Sequence, residues 1–169
     1  RLSLVGSEMC IRDRSKKNQR ALKRFKLKFQ LIKKMDKKIS ECDFIIICTP
    51  LSEYKKIFLA CNKYTKKNVL ITDVGSAKRD TITKINRIKR KDINWISSHP
   101  IAGSEVSGPL NGNENLFVNK WSVIIKQKKS QTKEMKKILK FWKLLGSKTV
   151  TMDAAVSYTH LTLPTTKNV

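Results

Sequence analysis

The chain lacks several features that would assign it to a broad class of protein. No apolar run approaches the about 20 residues that a membrane-spanning helix needs, and no secretory leader is evident. The four cysteines contain no CxxC pair, and the two histidines are not spaced as partners for them, so no metal site is expected. Free cysteines in this pattern are typical of a reducing compartment, and we therefore expect a cytoplasmic location.

Acidic residues are also scarce, with 13 Asp and Glu against 37 Lys and Arg and a formal net charge of +24. This charge raises one alternative, a non-catalytic basic module that binds nucleic acid. The excess is nearly all Lys, however, spread from Lys16 to Lys148, whereas phosphate and base recognition favours Arg. A solvated Lys-rich surface is the preferred interpretation, and neither nucleic acid nor a membrane is expected as a partner.

Apolar runs alternate with helical patterns through the middle of the chain. The run Asp43 to Cys48 is continuous and apolar, which is typical of a strand buried on both faces. Further strands are predicted over 68–72, 93–97, 121–126 and 148–152, and helices over most of 15–41, over 52–64, 76–90 and 133–145. Ser52 is the expected N-cap of the second helix, and Gly146 is expected to end the last. This alternation predicts an α/β fold with a doubly wound parallel sheet.

Three short polar segments follow predicted strands. They are Thr49-Pro50, Gly75-Ser76 and a segment that contains His99 on a loop rich in Gly and Pro. Because ligands bind beyond the carboxyl ends of the strands in such sheets, we expect these segments to share one crevice. A His side chain, with a pKa near 6.5, suits a general base near neutral pH. Ser76 is either the cap of the next helix or a group that orients the imidazole.

Specific runs then add a family resemblance. They are DFIIICTP (43–50), ITDVGSAK (71–78) and SHPIAGSEVSGP (98–109), with Leu116-Phe117 before Trp121 and Leu145-Gly146 before Met152-Asp153. Over residues 15–155 the chain resembles the prephenate dehydrogenase family, which includes arogenate dehydrogenases. The resemblance implies a Rossmann-like fold, NAD or NADP as cofactor, and a small-molecule substrate, prephenate or arogenate. The implied reaction is oxidative decarboxylation in tyrosine biosynthesis.

The resemblance also implies roles for individual residues. His99 matches the catalytic His that takes the proton of the ring hydroxyl, and Ser76 matches the serine that bonds this His. Glu105 matches an acidic position at the substrate end of the pocket. Thr49 and Pro50 match the loop that lines the cofactor, with Gly75 and Ser76 on the neighbouring loop.

The chain also departs from the family pattern. None of its six glycines forms the G-x-G-x-x-G turn that holds a pyrophosphate. We therefore expect a truncated sheet that lacks the first βα unit with its glycine-rich loop. The C-terminal helical domain, which supplies substrate-binding residues and the homodimer interface in the family, is missing too. A fragment of this kind is expected to be inactive alone. The remaining alternative is another Rossmann oxidoreductase of the β-hydroxyacid dehydrogenase type.

The two ends of the chain differ from its Lys-rich middle. Residues 1–14 and 156–169 have no periodicity and resemble translated sequencing-adaptor sequence. We interpret both as non-native tails and give them no functional role. The interpretation leaves one partial dinucleotide-binding domain over residues 15–155.

Overall fold

The computed structural model describes residues 10–13, 15–24, 30–32, 34–76, 79–103, 108–126 and 132–153. Strands and helices alternate along these residues, as the sequence predicts. In chain order they are β1 (Cys10–Ile11), α1 (Lys16–Leu22), β2 (Gln30–Leu31), β3 (Phe44–Ile47), α2 (Tyr54–Tyr64), β4 (Leu70–Asp73), α3 (Arg79–Ile88), β5 (Asn94–Pro100), β6 (Trp121–Lys126), α4 (Thr132–Leu144) and β7 (Lys148–Asp153). Within this described part, none of the helices has the length and apolar character to cross a membrane.

A five-stranded sheet in the order β3-β4-β5-β6-β7 forms the centre of the molecule. Strands β3, β4 and β5 are parallel, and so are β6 and β7, but β6 runs antiparallel to β5. The predicted doubly wound parallel sheet is confirmed, and it departs from parallel pairing only between β5 and β6 in the described residues. A parallel neighbour requires a crossover, usually a helix. The described part of residues 101–120 contains only a short 3-10 turn, Pro109–Asn111, and the chain returns in the opposite direction.

The first strands form a separate unit. Strand β1 pairs in parallel with β2 in a two-stranded sheet, and α1 lies between them in sequence. Residues 12–15, which join β1 to α1, contain no glycine, so a glycine-rich turn is absent from this connection. The predicted helical character of residues 15–41 is confirmed over Lys16–Leu22, but Gln30–Leu31 is a strand and Lys37–Glu41 a 3-10 turn.

Two apolar clusters cover the two faces of the central sheet because successive strand residues point to opposite sides. One cluster joins Ile71 and Trp95 of the sheet to α2 and α3, and Phe58 packs edge-to-face on Trp95 with ring centroids 5.0 Å apart. The other joins Leu70, Ile96 and Ile124 to Ile138 and Trp142 of α4. The sheet is thus the middle of three layers, with helices packed on both of its faces, as in a doubly wound fold.

Strand β3 lies at one end of the sheet. Its Ile46 side chain is 40% exposed and Phe44 and Ile45 are half-buried, so the prediction of a strand buried on both faces is wrong. The apolar run does form a strand, but a continuous apolar run cannot distinguish a central strand from one at an edge. Cys48 lies beyond the end of β3 and is exposed.

Of the two helix boundaries predicted from specific residues, the end of α4 is confirmed and the start of α2 is not. Gly146 follows α4 with φ +82°, the left-handed conformation that ends helices, which confirms its predicted role. Ser52 lies inside a 3-10 turn, Leu51–Glu53, and α2 begins at Tyr54 without a side-chain cap, so the predicted Ser52 cap is wrong.

Candidate active site

The ends of the three parallel strands bring the predicted segments to one level of the sheet. Ile47 pairs with Asp73, and Asp73 pairs with Ser97. Two residues beyond this row the chain reaches Thr49, Gly75 and His99 respectively. Because neighbouring strands lie about 4.8 Å apart, these three segments end side by side at one edge of the sheet.

His99 lies on a strand and not on a loop, which corrects the prediction from its Gly- and Pro-rich surroundings. Strand β5 continues to Pro100, and His99 pairs with Val123 of the antiparallel strand β6. The side chain is half-buried. An imidazole carried by a strand inside the sheet is held more firmly than one on a flexible loop, which suits a catalytic position.

Of the other predicted site residues, Ser76 is exposed and follows β4 by three residues. Pro50 is exposed after β3. Thr49 is half-buried, and its Oγ1 is a buried atom that has no hydrogen-bond partner within the described residues. Glu105 lies outside the residues that the structure describes. The roles of these residues therefore stay predictions.

A buried carboxylate at the end of β4 forms the densest polar cluster near these segments. Asp73 is 1% exposed. Its Oδ2 accepts hydrogen bonds from the Tyr54 hydroxyl at 2.9 Å and from the Gly75 backbone N–H at 3.1 Å. Its Oδ1 accepts one from the indole Nε1–H of Trp95 at 3.1 Å. Burial of such a group requires partners of this kind, and three donors supply them.

The environment of Asp73 also changes the properties of Tyr54. Burial raises the pKa of the Tyr54 hydroxyl, and the negative charge and hydrogen bond of Asp73 raise it further. The hydroxyl therefore stays protonated through the physiological pH range and acts as a hydrogen-bond donor. The pair fixes the start of α2 to the end of β4.

Gly75 is required by close packing at this point. A Cβ atom on residue 75 would lie 2.7 Å from Cδ2 of Leu51 and 2.8 Å from the hydroxyl oxygen of Tyr54. Both distances are shorter than van der Waals contact allows. Any side chain here would displace the donor of the Tyr54–Asp73 hydrogen bond, so the glycine permits the chain to turn tightly against the carboxylate.

Two buried hydroxyls connect β4 to β5 beside His99. The Ser98 Oγ donates to the backbone carbonyl oxygen of Asp73 at 2.7 Å and lies 2.8 Å from Oγ1 of Thr72. Thr72 Oγ1 in turn donates to the carbonyl oxygen of Ile96 at 2.8 Å. These bonds satisfy polar groups inside the sheet and link the residue next to His99 to the end of β4.

The sequence alone assigns no role to Tyr54 or Trp95, although both contact the site through Asp73. The sequence does contain one indication of such partners, because Asp73 is an acidic residue at the end of an apolar strand. A carboxylate in that position needs buried hydrogen-bond donors. Its partners are separated from it by 19 and 22 residues, and local patterns do not identify such pairs.

Comparison with known proteins adds independent information. A family described as "Prephenate dehydrogenase, nucleotide-binding domain" matches residues 4–151. Prephenate dehydrogenase of Lactococcus lactis is 30% identical over 116 residues, which cover 68% of this chain and 31% of that protein. Cyclohexadienyl dehydrogenase of Zymomonas mobilis is 27% identical over 116 residues, covering 69% of this chain and 39% of that protein. The chain thus spans between about a third and two fifths of these relatives.

Solved structures show the same fold. Prephenate dehydrogenase from Aquifex aeolicus, in complex with hydroxyphenyl propionate and NAD+, superposes with a TM-score of 0.79 at 21% identity. The match covers 90% of this chain and 53% of that one. Synechocystis arogenate dehydrogenase gives a TM-score of 0.77 at 20% identity, again with 90% and 53% of the two chains covered.

Proposed function

Because the chain belongs to the prephenate dehydrogenase family, we propose that it is the nucleotide-binding part of a longer prephenate or arogenate dehydrogenase. The reaction is the NAD(P)-dependent oxidative decarboxylation of a cyclohexadienyl substrate in tyrosine biosynthesis. One observation carries the proposal beyond family membership: His99 stands half-buried at the carboxyl end of β5, beside the segment that follows β4. Ligands of doubly wound sheets bind at such strand ends.

His99 acts as the general base in this proposal. Oxidation of a ring hydroxyl needs a group that accepts its proton near neutral pH, and an imidazole does so. The backbone of His99 pairs with Val123, which fixes the point from which the imidazole extends. Ser76 orients the imidazole from the neighbouring strand end, and Glu105 contributes at the substrate side.

The residues after β3 and β4 fit the nicotinamide end of a dinucleotide. Thr49 offers a buried Oγ1 that lacks a hydrogen-bond partner in the described part of the chain, which suits a polar ligand group. Thr49, Pro50, Gly75 and Ser76 would line the nicotinamide, whose chemistry when bound is to accept a hydride. The pyrophosphate end is different, because the residues between β1 and α1 include no glycine.

Two further parts of the proposal concern the whole protein. Residues 15–155 form the native segment and the tails are non-native. The isolated 169-residue chain is inactive, because it spans only about half the length of the dehydrogenase structures that share its fold. The location is the cytoplasm, and the partner is a small acidic substrate.

The test is an assay of the intact protein that contains residues 15–155. Prephenate and arogenate are each supplied with NAD+ and with NADP+, and formation of the reduced nicotinamide is followed by its absorbance. We expect turnover of at least one substrate. A folded intact protein that oxidises neither of them but oxidises a β-hydroxy acid would replace the proposal with the alternative oxidoreductase class.

The isolated chain provides a second measurement. Calorimetric titration of the 169-residue protein with NADH and NADPH should show weak binding or none, because the nicotinamide side is present without a glycine-rich turn for the pyrophosphate. Binding in the micromolar range would contradict this account of the missing turn.

A further inference from the structure

We propose that Asp73 is a positioning residue, whose buried carboxylate ties the backbone at Gly75, next to Ser76, to Trp95 near the start of β5, the strand that carries His99. In this way it keeps Ser76 and His99 in a fixed relation. The inference rests on the proposed function for the roles of Ser76 and His99. Asp73 itself touches neither substrate nor cofactor in this account, and it acts through its neighbours.

Three donors to Asp73 among the described residues come from three different parts of the fold. Tyr54 begins α2, Trp95 lies near the start of β5, and Gly75 directly precedes Ser76. A single side chain therefore connects a helix start, the neighbouring strand and the turn. The backbone carbonyl of Asp73 adds a fourth link, because it accepts the Ser98 hydroxyl next to His99.

A carboxylate is the only side chain of this size that can accept all these bonds. The Gly75 N–H and the Trp95 indole N–H can donate but cannot accept. In an Asp73→Asn variant one side of the amide presents an NH₂ group. Whichever way the amide is turned, this NH₂ faces either the Gly75 N–H or the Trp95 N–H, and that donor loses its acceptor. The substitution keeps the shape of residue 73 and breaks one specific contact.

The test uses nuclear magnetic resonance on the 169-residue chain, which contains three tryptophans and two histidines. The indole N–H signal of Trp95 reports on the carboxylate, and the imidazole signals of His99 report on the site. Asp73→Asn is compared with Tyr54→Phe, which removes one donor and retains the charge. Arg90→Ala is the matched control, because Arg90 contacts the end of α2 at Asn62 and Thr65, far along the helix from Tyr54.

We expect Asp73→Asn to move the His99 imidazole signals and the Ser76 amide signal, and to accelerate solvent exchange of the Trp95 indole or the Gly75 amide by about tenfold or more. Tyr54→Phe should move the same signals in smaller measure without a change in charge. Arg90→Ala should leave them in place although it lowers stability. Unchanged His99 and Ser76 signals in a folded Asp73→Asn protein would overturn the inference. If that variant does not fold, unchanged signals in Tyr54→Phe overturn it.

Kinetics of the intact protein separate this inference from the proposed function. Asp73→Asn should lower kcat by about ten- to hundredfold, with a smaller change in KM, because the reacting groups are misplaced. Arg90→Ala should leave kcat near the wild-type value. An intact protein with no dehydrogenase activity refutes the proposed function, while the His99 signals still decide the role of Asp73. Full activity in Asp73→Asn refutes the positioning role alone.

Discussion

Replacement of Trp95 by Phe should destabilise the protein far more than the same replacement at Trp142. Both indoles are buried, with 0% and 1% of the residue exposed. Both pack edge-to-face on aromatic rings, Trp95 on Phe58 and Trp142 on Phe117 and Phe141. The two variants therefore delete the same atoms from similar surroundings, and each leaves a cavity of comparable size.

The difference between the two positions is the hydrogen bond of the indole N–H. Trp95 donates to the Asp73 carboxylate at 3.1 Å, a bond to a charged group that contributes about 1.5–3 kcal/mol. The buried Nε1 of Trp142 has no hydrogen-bond partner among the described residues. Its removal relieves a desolvation cost of about 1–3 kcal/mol. The free energy of unfolding should thus be lower in Trp95→Phe than in Trp142→Phe by at least about 2 kcal/mol.

Urea denaturation followed by circular dichroism measures this difference without relying on tryptophan fluorescence. With a slope of about 2 kcal/mol per molar urea, the two midpoints should differ by about 1 M or more. Equal midpoints would refute the reasoning, because they would show that the Trp95–Asp73 bond contributes nothing beyond the volume of the ring.

In the intact enzyme, His99→Asn should lower kcat by roughly 10²–10⁴-fold, the usual contribution of a general base, and near-normal turnover would exclude His99 from that role. Ser76→Ala combined with His99→Asn should be non-additive in kcat if the hydroxyl orients the imidazole, whereas additive losses would leave Ser76 outside the mechanism. Arg90→Ala should lower the free energy of unfolding by about 1–2 kcal/mol, because the Arg90 guanidinium donates to carbonyl oxygens at the end of α2. Arg87 is exposed, and Arg87→Ala should change the free energy of unfolding by less than about 0.5 kcal/mol. Thermal unfolding of both variants measures the difference. The isolated chain should self-associate as salt is added, because β3 lies at the edge of the sheet and can pair with another copy. The net charge of +24 opposes this contact at low salt, but at physiological ionic strength the repulsion is screened beyond about 8 Å. Light scattering that does not change with salt, or that rises equally in Ile46→Lys, would contradict association through β3.

The order of strands and helices could be predicted from sequence because it depends on local patterns. The segments that become β3 and β4 are short and mainly apolar, the segment that becomes β5 has Trp95 and Ile96 near its start, and each ends at a polar residue or a proline. Thr49, Gly75 and His99 lie together because the parallel strands that precede them end at the same side of the sheet. The location of the candidate site could therefore also be predicted from the sequence.

The remaining features depend on contacts between distant segments. The reversal between β5 and β6 has no local signal, because β6 reads as the same kind of apolar run as a parallel strand. The exposure of Ile46 depends on which strands stand beside β3, and the role of Asp73 depends on a tryptophan 22 residues away. Sequence periodicity indicates which face of a helix or strand is apolar and where that helix or strand ends. It does not indicate which other strands or helices lie beside it.

The antiparallel pairing of β5 with β6 has a consequence for how such a protein can evolve. The sheet consists of two parallel sets, β3-β4-β5 and β6-β7, which meet at this one pairing. Antiparallel neighbours tolerate connections of many lengths, since no crossover helix has to pack on the sheet. The segment between Pro100 and Trp121 can therefore gain or lose residues while both strand sets keep their register. That segment leaves the sheet at Pro100, one residue after His99, so selection can reshape the surroundings of the imidazole at little cost to folding.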